Sequence, residues 1–178
     1  MLLLRYNYAL SEENILSEKA RSSQFDKFIL SIALLLVFII ATRTPVDADM
    51  WWHLRSGEEM VTQGRILLED IFSYTRYGSP WVNAFWLSDI LTFLIFKVGG
   101  YFALGGFVAL MTVAIFGIVI KQMQGPAFLR ALLLILAALT AAPILTPRPQ
   151  LFSFLLLALL NYWLYSLKKG TPLFPTWW

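Results

Sequence analysis

Two aspartates at alternate positions, Asp47 and Asp49, are the first residues of this chain that could do chemistry. Carboxylate oxygens are hard ligands, so the pair could hold a divalent cation, magnesium or manganese, together with phosphate oxygens. One carboxylate alone could act as a base on an acceptor hydroxyl. A structural role is the alternative, and we expect Asp49 to cap a helix that begins at Met50. No other motif in the sequence indicates a cofactor.

The only histidine of the chain, His53, lies directly after Trp51 and Trp52. An imidazole can serve as an acid, a base or a metal ligand. Without a second His or any Cys, however, the sequence excludes a structural zinc site. We therefore expect His53 to be hydrogen-bonded in the loop rather than catalytic, and the two tryptophans to anchor the chain at a membrane surface.

Two further polar residues stand out among aromatic and apolar neighbours. Asp70 precedes the segment IFSYT and could bind sugar or phosphate oxygens, although an Asp in this position more often starts a turn. Arg148 lies between Pro147 and Pro149, between two apolar runs, where an unpaired charge is costly. Its guanidinium could bind a lipid-linked phosphate through two hydrogen bonds, or it could pair with a lipid headgroup or with the acidic loop.

The composition indicates which kind of protein positions these residues. The chain has 178 residues, of which 58% are hydrophobic and 14% charged, against about 45–50% and about 25% in an average soluble domain. The excess apolar residues come in long runs, which predicts an all-α membrane protein in contact with lipid. The net charge of +3 is scattered and shows no nucleic-acid footprint, and the absence of Cys excludes disulfides and thiolate sites.

The apolar runs predict four full membrane-spanning helices, within residues 28–42, 101–120, 127–145 and 150–167. A fifth run, residues 81–98, contains Asp89, so we expect an interfacial or re-entrant helix there, although a fifth full span stays open. Four spans place Lys121, Arg130 and Lys168–Lys169 on the cytoplasmic side and Arg148 outside, which satisfies the positive-inside rule.

The remaining segments complete the predicted organisation. Residues 1–27 form a cytoplasmic N-terminal segment, with a short helix capped by Ser11, and residues 28–178 form the membrane module. An extracytoplasmic loop, residues 43–80, holds the acidic residues. Within this loop the spacing of apolar residues predicts a helix from Met50 to Val61 that Gly64 terminates.

Three blocks in order, DADMWWHLRSGEEMVTQGRI, DIFSYTRYGSPWVNAFWLSDIL and RPQLFSFLLLALLNYWL, carry a family resemblance. They resemble the N-terminal part of bacterial polytopic membrane glycosyltransferases of the GT-C type, over about residues 28–167. Relatives of this kind typically show D-x-D-x-W-W-H-L near the first span and R-P-Q before a later one. Ile71 departs from the pattern, because relatives usually have Pro there, and GT-C enzymes usually contain more spans than this chain.

The resemblance implies a bacterial inner-membrane enzyme that uses a polyprenyl-phosphate-linked sugar as its donor. It implies an essential acidic residue near the start of the first extracytoplasmic loop, which maps to Asp47 or Asp49 as a base or, in metal-using members, as a ligand. Arg148 would then meet the donor phosphate. The alternative is a non-catalytic membrane subunit that packs onto a larger complex through small residues such as Gly105 and Gly106. The enzyme interpretation predicts that Asp47, Asp49 and Arg148 converge on one cavity.

Overall fold

The computed structural model describes residues 2–42 and 47–170, and it is an all-α fold. The helices are α1 (Leu2–Ala41), α2 (Ala48–Gln63), α3 (Trp86–Ile120), α4 (Ala127–Ala141) and α5 (Gln150–Lys168), with a short 3-10 helix (Ala142–Ile144) after α4. Within the described ranges, strand-type pairing is limited to one isolated bridge between Glu69 and Pro80. The predicted all-α fold class is therefore confirmed.

Among the described residues, four helices are long and apolar enough to cross a membrane. They cover Ser22–Ala41, Trp86–Ile120, Ala127–Ile144 and Gln150–Lys168. Each of the four predicted apolar spans coincides with one of these helices to within one residue or lies inside it, and the chain is a multi-pass membrane protein. The C-terminal residues 171–178 lie outside the described part of the chain.

The helix α1 differs from its prediction at the N-terminal end. The expected separate helix beginning at Ser11 is wrong, because one helix runs from Leu2 to Ala41 without interruption. The charged stretch before the apolar segment contains Glu, Lys, Arg and Ala, which are all good helix formers, and has neither Gly nor Pro. The stretch therefore continues the helix into the apolar segment.

The helix α3 consists of two arms that meet at Gly99 and Gly100. Both glycines have non-helical backbone angles, and Gly100 has φ 58° and ψ −142°. The arm formed by residues 86–98 lies antiparallel to α2, since Gly57 meets Asp89 while Met50, at the other end of α2, packs near Phe96. The apolar segment with the buried Asp89 is thus paired with α2, and its position relative to a bilayer stays a prediction.

The second arm of α3, residues 101–120, is the centre of the helix bundle. It packs with α1 and α4 around Val37, Phe116 and Leu134, and with the start of α5 around Val108 and Leu151. The helix α4 buries a stripe of mostly small residues, Ala127, Ala131, Leu134 and Ala138, while its remaining leucines are largely exposed. An exposed apolar surface of this kind suits contact with lipid.

The bundle has two chemically different ends. At the basic end, Gln124 donates a hydrogen bond to the Tyr165 hydroxyl at 3.2 Å and Lys121 lies over the Tyr162 ring, so the ends of α3 and α5 lie together. Lys168 and Lys169 belong to this end, and so does Arg130. At the opposite, carboxylate end, Arg148 before α5 contacts Asp47 and Asp49 at the start of α2. This grouping is the one that the four-span arrangement requires.

Candidate functional site

The start of α2 assigns different roles to the two neighbouring aspartates. Asp47 is the N-cap: its side chain accepts a hydrogen bond from the Asp49 N–H at 2.9 Å, and its carbonyl accepts one from the Met50 N–H at 3.2 Å. The prediction that Asp49 caps the helix is therefore wrong. The helix begins at Ala48, because Asp47 already satisfies the first free N–H groups. Asp49 lies in the first turn without a capping role.

The guanidinium of Arg148 bridges these two carboxylates. Nη2 contacts Asp47 Oδ1, and Nη1 contacts Asp49 Oδ2 at 2.8 Å. A tight turn presents the arginine, since its N–H donates to the Thr146 carbonyl at 2.7 Å immediately before α5 begins. The side chain of Asp47 is 11% exposed and that of Asp49 is 52% exposed. The structure thus brings three sequence-predicted site residues together, and their roles stay predictions.

The contact between Arg148 and Asp47 shifts the pKa values of both side chains. The hydrogen bond from Arg148 lowers the pKa of Asp47, and partial burial of the carboxylate opposes this shift. The same bond to Asp47 raises the pKa of Arg148. Both side chains are therefore charged over the whole physiological pH range.

A second polar pair lies beside the first, between α2 and the first arm of α3. His53 Nδ1 is 2.7 Å from Asp89 Oδ1, and both side chains are almost fully buried. His53 lies in helix α2, within the predicted segment 43–80, and it is hydrogen-bonded as predicted. The second oxygen of Asp89, Oδ2, is buried without a hydrogen-bond partner in the part of the chain that the structure describes.

Close backbone packing brings Asp89 to His53. A Cβ atom at Gly57 would lie 2.2 Å from the Asp89 carbonyl oxygen, so only glycine permits this approach of α2 and α3. The loop before α3 docks at the same place, where the Asn83 amide contacts Ser56 Oγ at 3.4 Å and accepts a hydrogen bond from the Phe85 N–H. The sequence indicated only that Asp89 disfavours a full lipid-facing span, and no local pattern could identify His53 as its partner.

A cavity of about 690 Å³ connects the two polar pairs. Its polar lining comprises Asp49, His53, Ser88, Arg148, Gln150 and Ser153, and its apolar lining comprises Trp52, Ala84, Phe85, Leu87, Leu91, Pro149, Phe152 and Leu156. The charged residues lie where α2 and α5 begin. Along α5 the lining passes from Arg148 and Gln150 to Phe152, Ser153 and Leu156, so the α5 wall of the cavity runs from a charged end to a mostly apolar end.

Two tryptophans of α2 have separate positions. The Trp52 ring stacks on the His53 ring at a centroid distance of 3.7 Å and forms part of the cavity wall. Trp51 instead meets the edge of Tyr101 at 5.9 Å, away from the cavity. The sequence predicted one role for both tryptophans, as anchors at the membrane surface. It did not predict the contact between Trp52 and His53.

Asp70 does not join the cavity. Its Oδ1 accepts hydrogen bonds from the backbone N–H groups of Phe72 at 3.0 Å and Ser73 at 2.9 Å, and the Ser73 hydroxyl contacts its other oxygen. These bonds form the turn that the sequence favoured, and they lower the pKa of Asp70. The loop is tied back further by the hydrogen bond from the Asp70 N–H to the Ser79 carbonyl.

The carboxylates do not fit a divalent cation as they are arranged. Over the described ranges, no group of three or more His, Cys, Asp or Glu side chains could hold a metal ion. Asp47 and Asp49 are only two carboxylates, and both already contact Arg148. A cation between them would have to displace the guanidinium, so we derive no step through a metal.

Known proteins do not supply a function for this site. No family model, curated protein or solved structure matches the chain. The fold and the site define an all-α, multi-pass membrane protein with an amphiphilic cavity at its carboxylate end.

Proposed function

We propose that this chain transfers a sugar from a polyprenyl-phosphate-linked donor, as the GT-C resemblance implies. The observation that supports the proposal is one cavity whose α5 wall begins at the Arg148 guanidinium and continues to Phe152 and Leu156. A lipid-linked sugar phosphate has the same order of parts, an anionic phosphate followed by an isoprenoid chain. A free sugar nucleotide has no apolar chain that could occupy the apolar end.

Arg148 is the residue that we propose binds the donor phosphate. Its fork of N–H donors matches two phosphate oxygens. One of its partners, Asp49, is 52% exposed and can be replaced by the phosphate, whereas the largely buried Asp47 stays paired and holds the guanidinium in place. The cation would then stabilise the negative charge that develops on the departing phosphate.

The apolar end of the cavity would receive the first isoprene units. Leu87 and Leu91 line it from α3, and Phe152 and Leu156 line it from α5. From Gln150 to Leu156 the lining extends roughly 9 Å along the helix axis, at about 1.5 Å per residue. This length suits the lipid next to the phosphate and leaves the remaining chain in the bilayer.

The reaction would be an inverting displacement at the anomeric carbon of the sugar. An acceptor hydroxyl oxygen forms the new bond to this carbon, and the bond from the carbon to the phosphate oxygen breaks with its electron pair going to the phosphate. The resemblance assigns an acidic residue here. The geometry favours Asp49 over Asp47, because Asp49 lines the cavity and Asp47 is the helix cap.

The basic end supports an orientation for this chemistry. Lys121, Arg130, Lys168 and Lys169 favour the cytoplasmic side of a bacterial inner membrane. The cavity at the other end would then open on the extracytoplasmic side, where polyprenyl-linked sugars serve as donors for GT-C enzymes. The N-terminus of α1 would be cytoplasmic.

The proposal is tested with membranes from cells that express the gene, supplied with undecaprenyl phosphate carrying a radiolabelled hexose or pentose. We expect label to leave the lipid fraction for a membrane acceptor. Arg148→Ala should lower the rate by about 10²-fold or more, because it removes the cation at the leaving group. Glu58→Gln, in the exposed pair with Arg55 on α2, is the matched control and should keep the rate.

Two results would overturn the proposal. One is wild-type membranes that release no label from any of these donors, and the other is an Arg148→Ala variant that transfers as fast as the control. In either case the non-catalytic membrane subunit becomes the better interpretation, with Arg148 only joining α5 to α2.

A further inference from the structure

We infer that His53 accepts the proton of the acceptor hydroxyl, and that Asp89 is a positioning residue that fixes the tautomer of its ring. The inference rests on the proposed function, since it assigns a role within the same cavity. It replaces Asp49, the acidic residue that lines the cavity, with the histidine one helical turn further along α2.

The contacts of the aspartates argue against a carboxylate base. Asp47 and Asp49 each contact a nitrogen of Arg148. The hydrogen bond from Arg148 lowers the pKa of Asp47, which makes Asp47 a weak proton acceptor. Asp49 can leave the same guanidinium only if the donor phosphate takes its place, and the phosphate and the carboxylate then repel each other.

The geometry of His53 suits a base. Its Nδ1 is 2.7 Å from a carboxylate oxygen of Asp89, and a carboxylate accepts hydrogen bonds, so Nδ1 carries the proton. Nε2 then presents a lone pair, and it has no hydrogen-bond partner among the residues that the structure describes. The ring lines the cavity and is held between Trp52, at 3.7 Å, and the edge-on ring of Phe85, at 5.8 Å.

The helix places this base next to the phosphate site. Asp49 and His53 are four residues apart in α2, so their side chains lie on one face of the helix, one turn apart. Both line the same cavity as Arg148. A sugar between the phosphate at Arg148 and the acceptor hydroxyl at His53 would therefore lie across one helical turn.

The burial of Asp89 favours more than a structural contact. Gly57 and Asn83 already dock the first arm of α3 on α2. Asp89 is fully buried and leaves Oδ2 unpartnered within the described residues, which costs free energy in a purely structural pair. A buried carboxylate beside Nδ1 is useful when the ring becomes charged, because it stabilises the imidazolium that proton uptake creates.

The proton balance of the transfer is then complete. The acceptor oxygen bonds to the anomeric carbon and gives its proton to Nε2 of His53, while the electron pair of the broken bond goes to the phosphate held by Arg148. The products are the glycoside, the polyprenyl phosphate and a His53 imidazolium paired with Asp89. The imidazolium returns its proton to water, which restores the starting state.

The tautomer can be measured without any substrate, because the chain contains one histidine. The full chain is labelled with nitrogen-isotope histidine, purified through a tag free of histidine, and its ring nitrogens are observed by NMR at mildly alkaline pH. We expect one protonated nitrogen, Nδ1, and one unprotonated nitrogen, Nε2. Asp89→Asn should shift the proton towards Nε2, since an amide can donate to Nδ1, and Glu58→Gln should leave the signals unchanged.

A proton on Nε2 in the wild type, or protons on both nitrogens, would overturn the inference. The transfer assay described above then tests the role. His53→Asn keeps an amide nitrogen near the position of Nδ1 for Asp89, but it has nothing at the position of Nε2, so the fold should survive while the rate falls by about 10²–10⁴-fold. Asp89→Asn should lower the rate on the order of 10²-fold, and Glu58→Gln should keep it.

The two proposals fail in different ways. If the wild type transfers sugar and His53→Asn transfers as fast, the role of His53 is wrong and the proposed function stands. If Asp49→Asn abolishes transfer while His53→Asn retains it, the base is the carboxylate. If the wild type transfers no sugar, the proposed function fails and the base assignment fails with it.

Discussion

The two ends of the helix bundle use arginine in opposite ways. At the basic end, Arg130 lies in the first turn of α4 and donates to the backbone carbonyl of Ile120 at 2.7 Å. At the carboxylate end, Arg148 immediately precedes α5 and contacts two carboxylates beside a cavity of about 690 Å³. The first contact closes a helix end and leaves a net positive charge. The second balances charge at a cavity wall, where the guanidinium faces two carboxylates and not a backbone carbonyl.

The largest expected difference between the two ends is their side of the membrane. The chain has no Cys, so a single introduced Cys reports its own position. We expect a membrane-impermeant maleimide to label Tyr77→Cys on intact spheroplasts, and Lys169→Cys only after permeabilisation, because bases stay cytoplasmic. Labelling of Lys169→Cys from outside would reverse the orientation, and equal labelling of both would contradict the four-span arrangement.

The second difference is how tightly the helices pack at a glycine, Gly57 near the carboxylate end and Gly117 near the basic end. Gly57→Ala would place a Cβ 2.2 Å from the Asp89 carbonyl oxygen and force α2 away from α3. We expect a loss of about 1–3 kcal/mol in unfolding free energy, as for other overpacked sites. Gly117→Ala, near the basic end, meets open space and should be neutral or stabilising. Unfolding in detergent compares the two variants, and a tolerated Gly57→Ala would contradict the close approach.

The third difference concerns the fork of the guanidinium. Arg148→Lys cannot reach two carboxylates in the same geometry, so we expect a loss of about 1–2 kcal/mol in unfolding free energy. Arg130→Lys still offers one donor to one carbonyl and should change stability by less than about 0.5 kcal/mol. The same unfolding measurement checks both substitutions. Equal losses of unfolding free energy at the two positions would mean that the contacts with Asp47 and Asp49 do not stabilise the fold.

The smallest expected effect is a pH dependence of the carboxylate end. Arg148 lowers the pKa of Asp47 in the folded chain, so the folded state holds this carboxylate charged more strongly than the unfolded state does. The resulting stabilisation is complete above the ordinary Asp pKa of about 4, and it is lost as the pH falls through the lowered value. The free energy of unfolding, measured from neutral to acidic pH, should therefore fall less steeply in Asp47→Asn than in the wild type. Parallel curves would contradict the pairing.

The sequence predicted the local features of the carboxylate end well. The helix α2, its stop at Gly64 and the turn at Asp70 all depend on neighbouring residues, and all are present in the structure. The choice between Asp47 and Asp49 as the cap failed, because both residues have the side chain for the role. Only the first helical residue, Ala48, decides between them.

The sequence could not predict the partner of Asp89. His53 and Asp89 are 36 residues apart, and nothing in the spacing of either residue refers to the other. What places them together is the fit of Gly57 against the backbone of α3, which is a property of two packed helices. The cost of a charge within an apolar run was the one local signal at Asp89, and it argued only against a lipid-facing span.

The break in α3 at Gly99 and Gly100 determines where this helix can accept an inserted or deleted residue. In a continuous helix, one inserted residue rotates everything after it by about 100°, because a turn takes 3.6 residues. Gly100, with φ 58°, already interrupts the helix, so the arms on either side keep their own registers. An insertion or deletion at this joint is therefore the length change that α3 should tolerate best, with the His53–Asp89 pair and the central bundle both preserved.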